Sequence, residues 1–414
     1  MRSSRVGLFV ALVVATSAGA SFVGACSSSN APAGSSSGTT GDAFVEPREA
    51  SVNDAAREGA TDVDAGPVVP DTACGVAGGT RATLNAGGTA PLFDALGTVG
   101  ARRVAQGAGD EGFVLLDVSG ANASAAPVVL GLDLNHIATG GSVLGVVGVT
   151  LPDIFFQRYD ATGAVVGGGP ALQLGSDPSS EVFVGQSAGA FLTVWSDTQG
   201  VTARGVDAAG ALAGPAFALD AAKQENFTAS VVSSGSSFAV LWVGYTFTSP
   251  GHTLIRTVFA TASTTAAIAT HDISANDQAR TVVQLVKTPT GYAALVDDPG
   301  GPPDNTGRTR LLLLDANGNV TNAPSPFLAG AVRGLGLAAQ GGELGVVVER
   351  TAQTVGFRPF DANAAPLGPW VCLGSTAPSM NSAAIDADGA GYAVTFGSGA
   401  NHAASLARFN RLGN

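Results

Sequence analysis

One hairpin pattern recurs seven times along the chain, and this recurrence constrains the fold more than any other feature. Each copy has a short apolar run, a tight polar or glycine turn, and a second run that opens on an aromatic residue or leucine. The second runs open at Phe113, Leu144, Phe191, Phe238, Tyr292, Leu344 and Tyr392. The intervals between them are 31, 47, 47, 54, 52 and 48 residues. Such spacing predicts a modular architecture built from one repeated unit.

The runs have the composition of β-strands. They are rich in Val, Leu, Phe and Thr, and they alternate in the manner of strands, as in Phe191–Trp195 and Phe238–Trp242. Helical periodicity is absent over any useful length. The 57 glycines and 21 prolines among 414 residues indicate many turns. The sequence therefore predicts an all-β fold.

A second motif follows the hairpins. A large residue is followed by Asp-x-x-Gly at Asp160–Gly163, Asp207–Gly210 and Asp315–Gly318, with looser copies at Asp361 and Asn410. Aspartate caps backbone amides at the start of such a turn, and glycine adopts a positive φ at its end. A further apolar run comes after the turn. Each repeat is therefore predicted to supply four strands.

Four-stranded units at this spacing resemble the blades of a β-propeller. The WD dipeptide and the kelch di-glycine are absent, so the resemblance is to the architecture and to no named family. The last repeat ends before its fourth strand, whereas Thr80–Asn85 is a spare strand ahead of the first hairpin. Pairing this segment into the last blade closes the ring and removes an open edge. We predict a propeller over residues 74–414 with seven blades, and the short interval from 113 to 144 leaves six as the alternative.

The N-terminus has the features of an export signal. Met1–Arg5 is short and basic, and an apolar stretch covers Val6–Ala18. This order and length are typical of a secretory signal, and the stretch is shorter than the roughly 20 apolar residues of a spanning helix. Residues 1–25 are therefore interpreted as a signal peptide.

The end of this segment carries its most specific motif. Val23-Gly24-Ala25-Cys26 resembles the bacterial lipobox, in which an aliphatic residue and two small residues precede a cysteine. The resemblance implies cleavage before Cys26 and attachment of lipid, including palmitate, to that cysteine. Ser27 follows it in place of aspartate, and by the same resemblance this favours the outer membrane of a Gram-negative bacterium. Which face of that membrane carries the protein stays open.

Residues 26–73 are predicted to be a disordered tether. Ser27–Gly41 consists almost entirely of small and polar residues, and an acidic stretch follows it. With few apolar residues to bury, the segment cannot offset the entropy lost on ordering. A coil of this length has a reach of roughly 35–40 Å.

Three cysteines occur, Cys26, Cys74 and Cys372. If Cys26 is lipidated, the remaining two can pair in an oxidising compartment. Cys74 precedes the predicted closing strand, and Cys372 lies in the fourth strand of the next-to-last repeat. We predict a Cys74–Cys372 disulfide near the point of ring closure, with two buried unpaired thiols as the alternative.

The sequence contains no recognisable catalytic or metal-binding motif. The four histidines lack ligand spacing and no C-x-x-C is present, so no catalytic residue, metal or cofactor is predicted. The longest polar insertion between strands runs from 297 to 305, and long loops on a rigid scaffold often bind ligands. Asp297, Asp298 and Asp304 in this insertion are therefore weak candidates for binding.

The overall charge restricts the partners. The formal net charge is −12 and only two lysines occur, Lys223 and Lys287, which disfavours nucleic acid. The sequence predicts a lipid-anchored envelope protein whose propeller is a non-catalytic binding or scaffold module for protein or polysaccharide. The alternative is an envelope hydrolase or lyase with carboxylates from different blades in the central channel.

Overall fold

The computed structural model describes most of the chain beyond residue 74. The described residues are 75–76, 80–84, 92–108, 113–117, 133–179, 181–221, 225–246, 252–264, 269–272, 281–299, 307–322, 328, 330–350, 354–375, 383–389, 391–398 and 403–410. All regular secondary structure within them is β-strand. This part of the chain contains no helix long and apolar enough to span a bilayer. The predicted signal peptide, Cys26 and the tether lie outside the described residues.

The strands follow the chain in seven groups. Before the first group come β1 (Gly75–Val76) and β2 (Thr80–Leu84). Blade 1 has β3 (Leu92–Val99), β4 (Arg102–Ala108) and β5 (Phe113–Asp117); blade 2 has β6 (Asp133–Ala138), β7 (Val143–Thr150), β8 (Asp153–Asp160) and β9 (Leu172–Ser176); blade 3 has β10 (Phe183–Ser187), β11 (Ala190–Asp197), β12 (Gly200–Val206) and β13 (Phe217–Asp220). Blade 4 has β14 (Glu225–Ser234), β15 (Ser237–Thr246), β16 (His252–Ala260) and β17 (Ala269–Asp272); blade 5 has β18 (Thr281–Lys287), β19 (Gly291–Pro299) and β20 (Gly307–Asp315). Blade 6 has β21 (Ala331–Gln340), β22 (Glu343–Arg350), β23 (Thr354–Phe360) and β24 (Val371–Ser375); blade 7 has β25 (Ala383–Asp388), β26 (Gly391–Ser398) and β27 (Ala403–Asn410).

Each group forms its own antiparallel sheet with its strands in sequence order. Seven consecutive sheets of this kind, each packed on the next, make the chain a seven-bladed β-propeller. The prediction of seven blades is confirmed, and six is excluded. Blades 1 and 5 show three strands within the described residues, and the other blades show at least four.

The ring closes as predicted. The N-terminal strand β2 is the outer strand of blade 7 and pairs with β27 from Thr80↔Arg408 to Leu84↔Ala404. The sequence did not predict β1, which adds a fifth strand to blade 6. This short strand runs parallel to β24, with Gly75 opposite Val371 and Val76 opposite Cys372. The N-terminal segment thus contributes to two neighbouring blades.

The assignment of the first hairpin was wrong. Phe113 was predicted to open the second strand of blade 1, but it begins the third strand, β5. The second strand is β4, and its second residue, Arg103, stands where the other blades have their aromatic or leucine. From Arg103 to Leu144 the interval is 41 residues, a full blade. The pattern failed because a charged residue occupies the diagnostic apolar position.

The recurring Asp-x-x-Gly motif forms the predicted turn. The Asp160 carboxylate accepts hydrogen bonds from the amides of Thr162 (2.8 Å) and Ala164 (3.1 Å), and the carboxylates of Asp207, Asp315 and Asp361 also accept from amides of their own turns. The fourth residue of these four copies has a positive φ, at Gly163, Gly210, Gly318 and Ala364, and the turn after Asn410 lies outside the described residues. Ala364 is an exception, because an L side chain there occupies a conformation that favours glycine.

Large side chains fill the space between blades. The Phe191 ring of blade 3 lies 5.0 Å from Phe156 of blade 2, and the aromatic residues at the same position in blades 4, 5 and 7 are also buried. Gly145 of blade 2 makes room for Phe191, because a Cβ at Gly145 would overlap the ring. The core is therefore a series of layers between adjacent sheets, as expected for stacked blades.

Polar side chains tie the inner strands of adjacent blades together. Ser230 of blade 4 accepts a hydrogen bond from the Leu285 amide of blade 5 (2.9 Å). Gln284 of blade 5 accepts one from the Leu337 amide of blade 6 (2.9 Å). The backbone amides at the unpaired edge of an inner strand thereby gain hydrogen-bond acceptors from the neighbouring blade.

The two faces of the propeller differ in their connections. We call the face with the links between first and second strands the turn face; in each blade these links have two to four residues. Adjacent turns touch there, for example Gly100 N to Gly141 O at 2.7 Å. The opposite face, the loop face, has the links between second and third strands and between blades. Its links between second and third strands range from two residues, Leu151-Pro152, to the seven residues 300–306.

Candidate functional site

The first strands of all seven blades surround a central channel. Its cavity has a volume of about 410 Å³ and is lined by β3, β6, β10, β14, β18, β21 and β25. Most lining side chains are small or aliphatic. The ionisable residues in the described lining are His136, Lys287 and Asp386. A cavity of this size with a few polar groups is typical of a small-molecule binding site.

One buried position in each blade usually holds a large hydrophobic residue. It is the second residue of the second strand and is occupied by Leu144, Phe191, Phe238, Tyr292, Leu344 and Tyr392 in blades 2 to 7, all of them buried. In blade 1 the residue is Arg103, whose side chain is only 1% exposed. A buried guanidinium requires charge partners.

Those partners come from blade 7. Nη2 of Arg103 lies 2.5 Å from Oδ1 of Asp388, and Nη1 lies 3.9 Å from Oδ2 of Asp386. The other oxygen of Asp388 lies 3.0 Å from Nε of Arg408. Two carboxylates and two guanidinium groups thus form a compact cluster where blade 7 meets blade 1, and their formal charges cancel.

Asp386 is the member of this cluster that reaches the channel. It sits on β25 opposite Ala393, and the six equivalent inner-strand positions hold only small or aliphatic residues, Gly97, Ala138, Gly185, Val232, Val286 and Ala338. Burial raises the pKa of Asp386 to about 6, although the nearby Arg103 acts in the opposite direction. A carboxyl that titrates near neutral pH in a cavity is a candidate functional group.

The part of the channel towards the loop face has a different polar group. The His136 ring packs against Phe183 with 4.4 Å between centroids. Its Nε2 atom lies 3.9 Å from Oε2 of Glu181, and hydrogen bonding to His136 keeps the pKa of Glu181 below its usual range. Among the described residues, no group of three or more His, Cys, Asp or Glu is placed to hold a metal ion.

Asp297, a residue selected from the sequence for binding, lies between two blades. Both of its carboxylate oxygens accept a hydrogen bond from the Gly334 amide of blade 6, at 2.8 and 3.0 Å, and Thr309 Oγ1 donates at 2.8 Å. Burial raises its pKa to about 6. These contacts give Asp297 a role in joining blades 5 and 6. The side chain of Asp298 and the whole of Asp304 lie outside what the structure describes.

The cysteines are only partly described. Cys372 lies in β24 and is disulfide-bonded. Its predicted partner, Cys74, is outside the described residues, so their pairing stays a prediction. Gly75, the residue after Cys74, pairs with Val371, the residue before Cys372.

The sequence did not predict the Arg103–Asp386 contact. The signal that could have revealed it was the short interval of 31 residues between Phe113 and Leu144. Because blade 1 lacks the usual apolar residue at the start of its second strand, the repeat was assigned to Phe113 instead. An arginine at the corrected repeat position would have pointed to a buried ion pair. Its partners could not be found by spacing, because they lie at the opposite end of the propeller sequence.

Comparison with known proteins finds similar solved structures only at low sequence identity. No family model matches it, and no curated protein matches it. Similar solved structures include one described as a mitotic checkpoint complex (10% identity, 90% of this chain and 99% of that chain, TM-score 0.49), the AfRom2 CNH domain (11%, 80% and 99%, 0.47) and the Dos1 propeller (10%, 77% and 78%, 0.45). At these identities and TM-scores no conclusion about this chain is drawn from the similarities, and the assignment of the fold rests on its own seven sheets.

Proposed function

We propose that the chain is a lipid-anchored envelope protein whose propeller is a non-catalytic binding module for a protein or polysaccharide. A propeller fold supports a binding or scaffold role in general. The observation that carries the proposal is the contrast between the two faces. Tight capped turns recur on one face, whereas connections of varied length collect on the other, and variable loops on a rigid ring are the usual place of recognition.

The proposed anchor rests on the sequence. The basic start, apolar stretch and Val23–Cys26 motif supply the export and lipidation signals. Strand β1 supports the arrangement, since it is parallel to β24 and its first residue is at the turn-face end. A tether joining there leaves the loop face free for a partner. The proposed Cys74–Cys372 disulfide would fix this point of attachment.

Fatty-acid labelling of the full chain in a Gram-negative host tests the anchor. The wild-type chain should be labelled and found with the membrane fraction, and Cys26→Ala should lose both properties. If Cys26→Ala loses the label but stays in the membrane, an uncleaved signal anchor is the correct model. An unlabelled wild-type chain would refute lipidation.

Crosslinking in the native envelope tests the binding face. Residues 301–304, in the sequence between β19 and β20, are replaced by a Gly/Ser segment of equal length. The matched control is Ala208→Ser with Ala209→Ser in an exposed turn on the turn face. The loop replacement should reduce specific crosslinks and the control should keep them. Equal crosslinking by all forms would contradict a loop-face interaction.

The hydrolase alternative requires two carboxylates facing each other in the channel. The described lining supplies one, Asp386, and an arginine is its nearby charge partner. No specific observation therefore favours catalysis over binding.

A further inference from the structure

Two exceptions to the sevenfold pattern face each other. Arg103 is the charged residue at a position that is otherwise hydrophobic, and Asp386 is the charged residue at a channel position that is otherwise small or aliphatic. They come from different blades and meet across the junction of blades 7 and 1. Departures from local consistency tend to occur at functional sites in natural proteins.

The contact between Arg103 and Asp386 does not satisfy the hydrogen-bonding capacity of the two side chains, as a purely structural ion pair would. Nε and Nη1 of Arg103 and Oδ2 of Asp386 are buried, and none has a hydrogen-bond partner among the described residues. Leaving such groups unpaired in the folded protein is unfavourable, because they have lost water without gaining a partner. Leucine occupies the Arg103 position in blades 2 and 6, so the fold does not require a charge there.

We propose that Asp386, held in place by Arg103, accepts a hydrogen bond from a hydroxyl group of a neutral saccharide bound in the channel. This inference rests on the proposed binding function and names its ligand class. The Asp386 side chain is 26% exposed and belongs to the channel lining, so rotation of its carboxyl group can present an oxygen to the cavity. Arg103 lies behind it as a positioning residue.

The charges next to Asp386 favour a neutral ligand at this part of the channel. Arg103 and Asp388 are the charged groups that act on Asp386, and Arg408 neutralises Asp388 from β27. The cluster therefore has no formal charge to attract a cation or an anion. Hydroxyl groups supply the donors that a carboxylate needs without adding charge.

The rest of the lining fits the same class. The partly buried aliphatic side chains of Val232 and Val286 offer surface for the C–H faces of a sugar ring, and Gln186 adds a buried amide oxygen with no hydrogen-bond partner among the described residues. A cavity of about 410 Å³ is within the range of small-ligand sites. A mono- or disaccharide unit, free or at the end of a longer glycan, matches this space.

Isothermal titration of the full chain against neutral mono- and disaccharides of hexoses and N-acetylhexosamines tests the proposal. Wild-type protein should bind at least one of them, and Asp386→Ala should weaken that binding about tenfold or more. The matched control is Asp160→Asn in an exterior turn, where asparagine keeps the cap. Absence of wild-type binding to the whole panel, or equal binding by Asp386→Ala, would overturn the proposal.

The variant Arg103→Leu distinguishes a role of Arg103 in positioning Asp386 from a role in folding alone. Leucine is the residue at this position in blades 2 and 6, so the variant should fold. Because the nearby positive charge is lost, the pH at which saccharide affinity changes should rise from its value near 6. An unchanged pH profile would refute the role of Arg103. Should this variant fail to fold, Asp386→Asn, which keeps the shape but not the charge, must still weaken binding for the proposal to stand. Failure of saccharide binding leaves the loop-face crosslinks intact, so the two proposals fail separately.

Discussion

The pH dependence of stability at the junction of blades 5 and 6 follows from one carboxyl group. Asp297 accepts hydrogen bonds from Gly334 and Thr309, yet burial dominates and raises its pKa from 3.8 to about 6. The folded chain therefore holds this proton more tightly than the unfolded chain does. We expect Asp297→Asn to remove that difference while keeping an oxygen that accepts from the Gly334 amide.

The sign and size of the effect follow from linkage. Because the folded pKa is raised, the stabilising contribution of Asp297 is fully present below pH 3.8 and is lost as the pH rises through about 6. A pKa difference of this size corresponds to roughly 3 kcal/mol in the free energy of unfolding. The wild-type chain should thus lose that amount relative to Asp297→Asn across this interval and no more at higher pH.

Urea unfolding of both proteins at half-unit steps from pH 4 to pH 8 measures the difference. The control is Asp160→Asn: hydrogen bonds from Thr162 lower the pKa of Asp160 from 3.8, so this group titrates below the measured range. The difference between wild type and Asp160→Asn should therefore stay nearly flat above pH 5. Asp386 titrates in the same range and is present in all the proteins compared, so it cancels. The measured quantity is the difference in free energy of unfolding between wild type and Asp297→Asn. If this difference is constant from pH 4 to pH 6, or if it grows in favour of wild type, the reasoning is refuted.

Three further changes have expected outcomes. Ala364→Gly should raise the free energy of unfolding by about 1 kcal/mol, measured by urea titration, because it relieves a positive φ of 61°; a lower stability would contradict the assigned turn. Gly145→Ala should lower the free energy of unfolding by about 1–3 kcal/mol, because the new methyl group overlaps Phe191. The control Gly169→Ala has open space around it and should leave the free energy of unfolding nearly unchanged. Cys372→Ser should lower stability by about 4–5 kcal/mol under oxidising conditions, and equal stability with and without reductant in the wild type would refute a structural disulfide.

The sequence predicted those parts of the fold that depend on local chemistry. The turns at Asp160, Asp207 and Asp315 form where the motif places them, because capping and positive φ involve residues within one turn. The closing strand from Thr80 was also predicted correctly, since an unpaired strand and an incomplete last repeat needed each other.

Contacts between blades were much harder to predict. Ser230 and Gln284 reach amides about one repeat away, and nothing in the spacing of residues distinguishes them from ordinary polar side chains. Arg103 disrupted the repeat pattern itself, because a buried charge looks like a surface residue in sequence. In the sequence the channel residue Asp386 resembles part of a turn motif, and only the fold shows that it lies beside Arg103 of blade 1.

The pairing of β2 with β27 also shapes how the chain can reach its native state. The four-stranded sheets of most blades can form from neighbouring segments of the chain, but blade 7 needs β2 and β27, from opposite ends of the propeller, together. Closing so large a loop is entropically unfavourable and slows folding. We therefore expect ring closure to be a late step in folding, with β2 open to incorrect strand partners until β27 joins it.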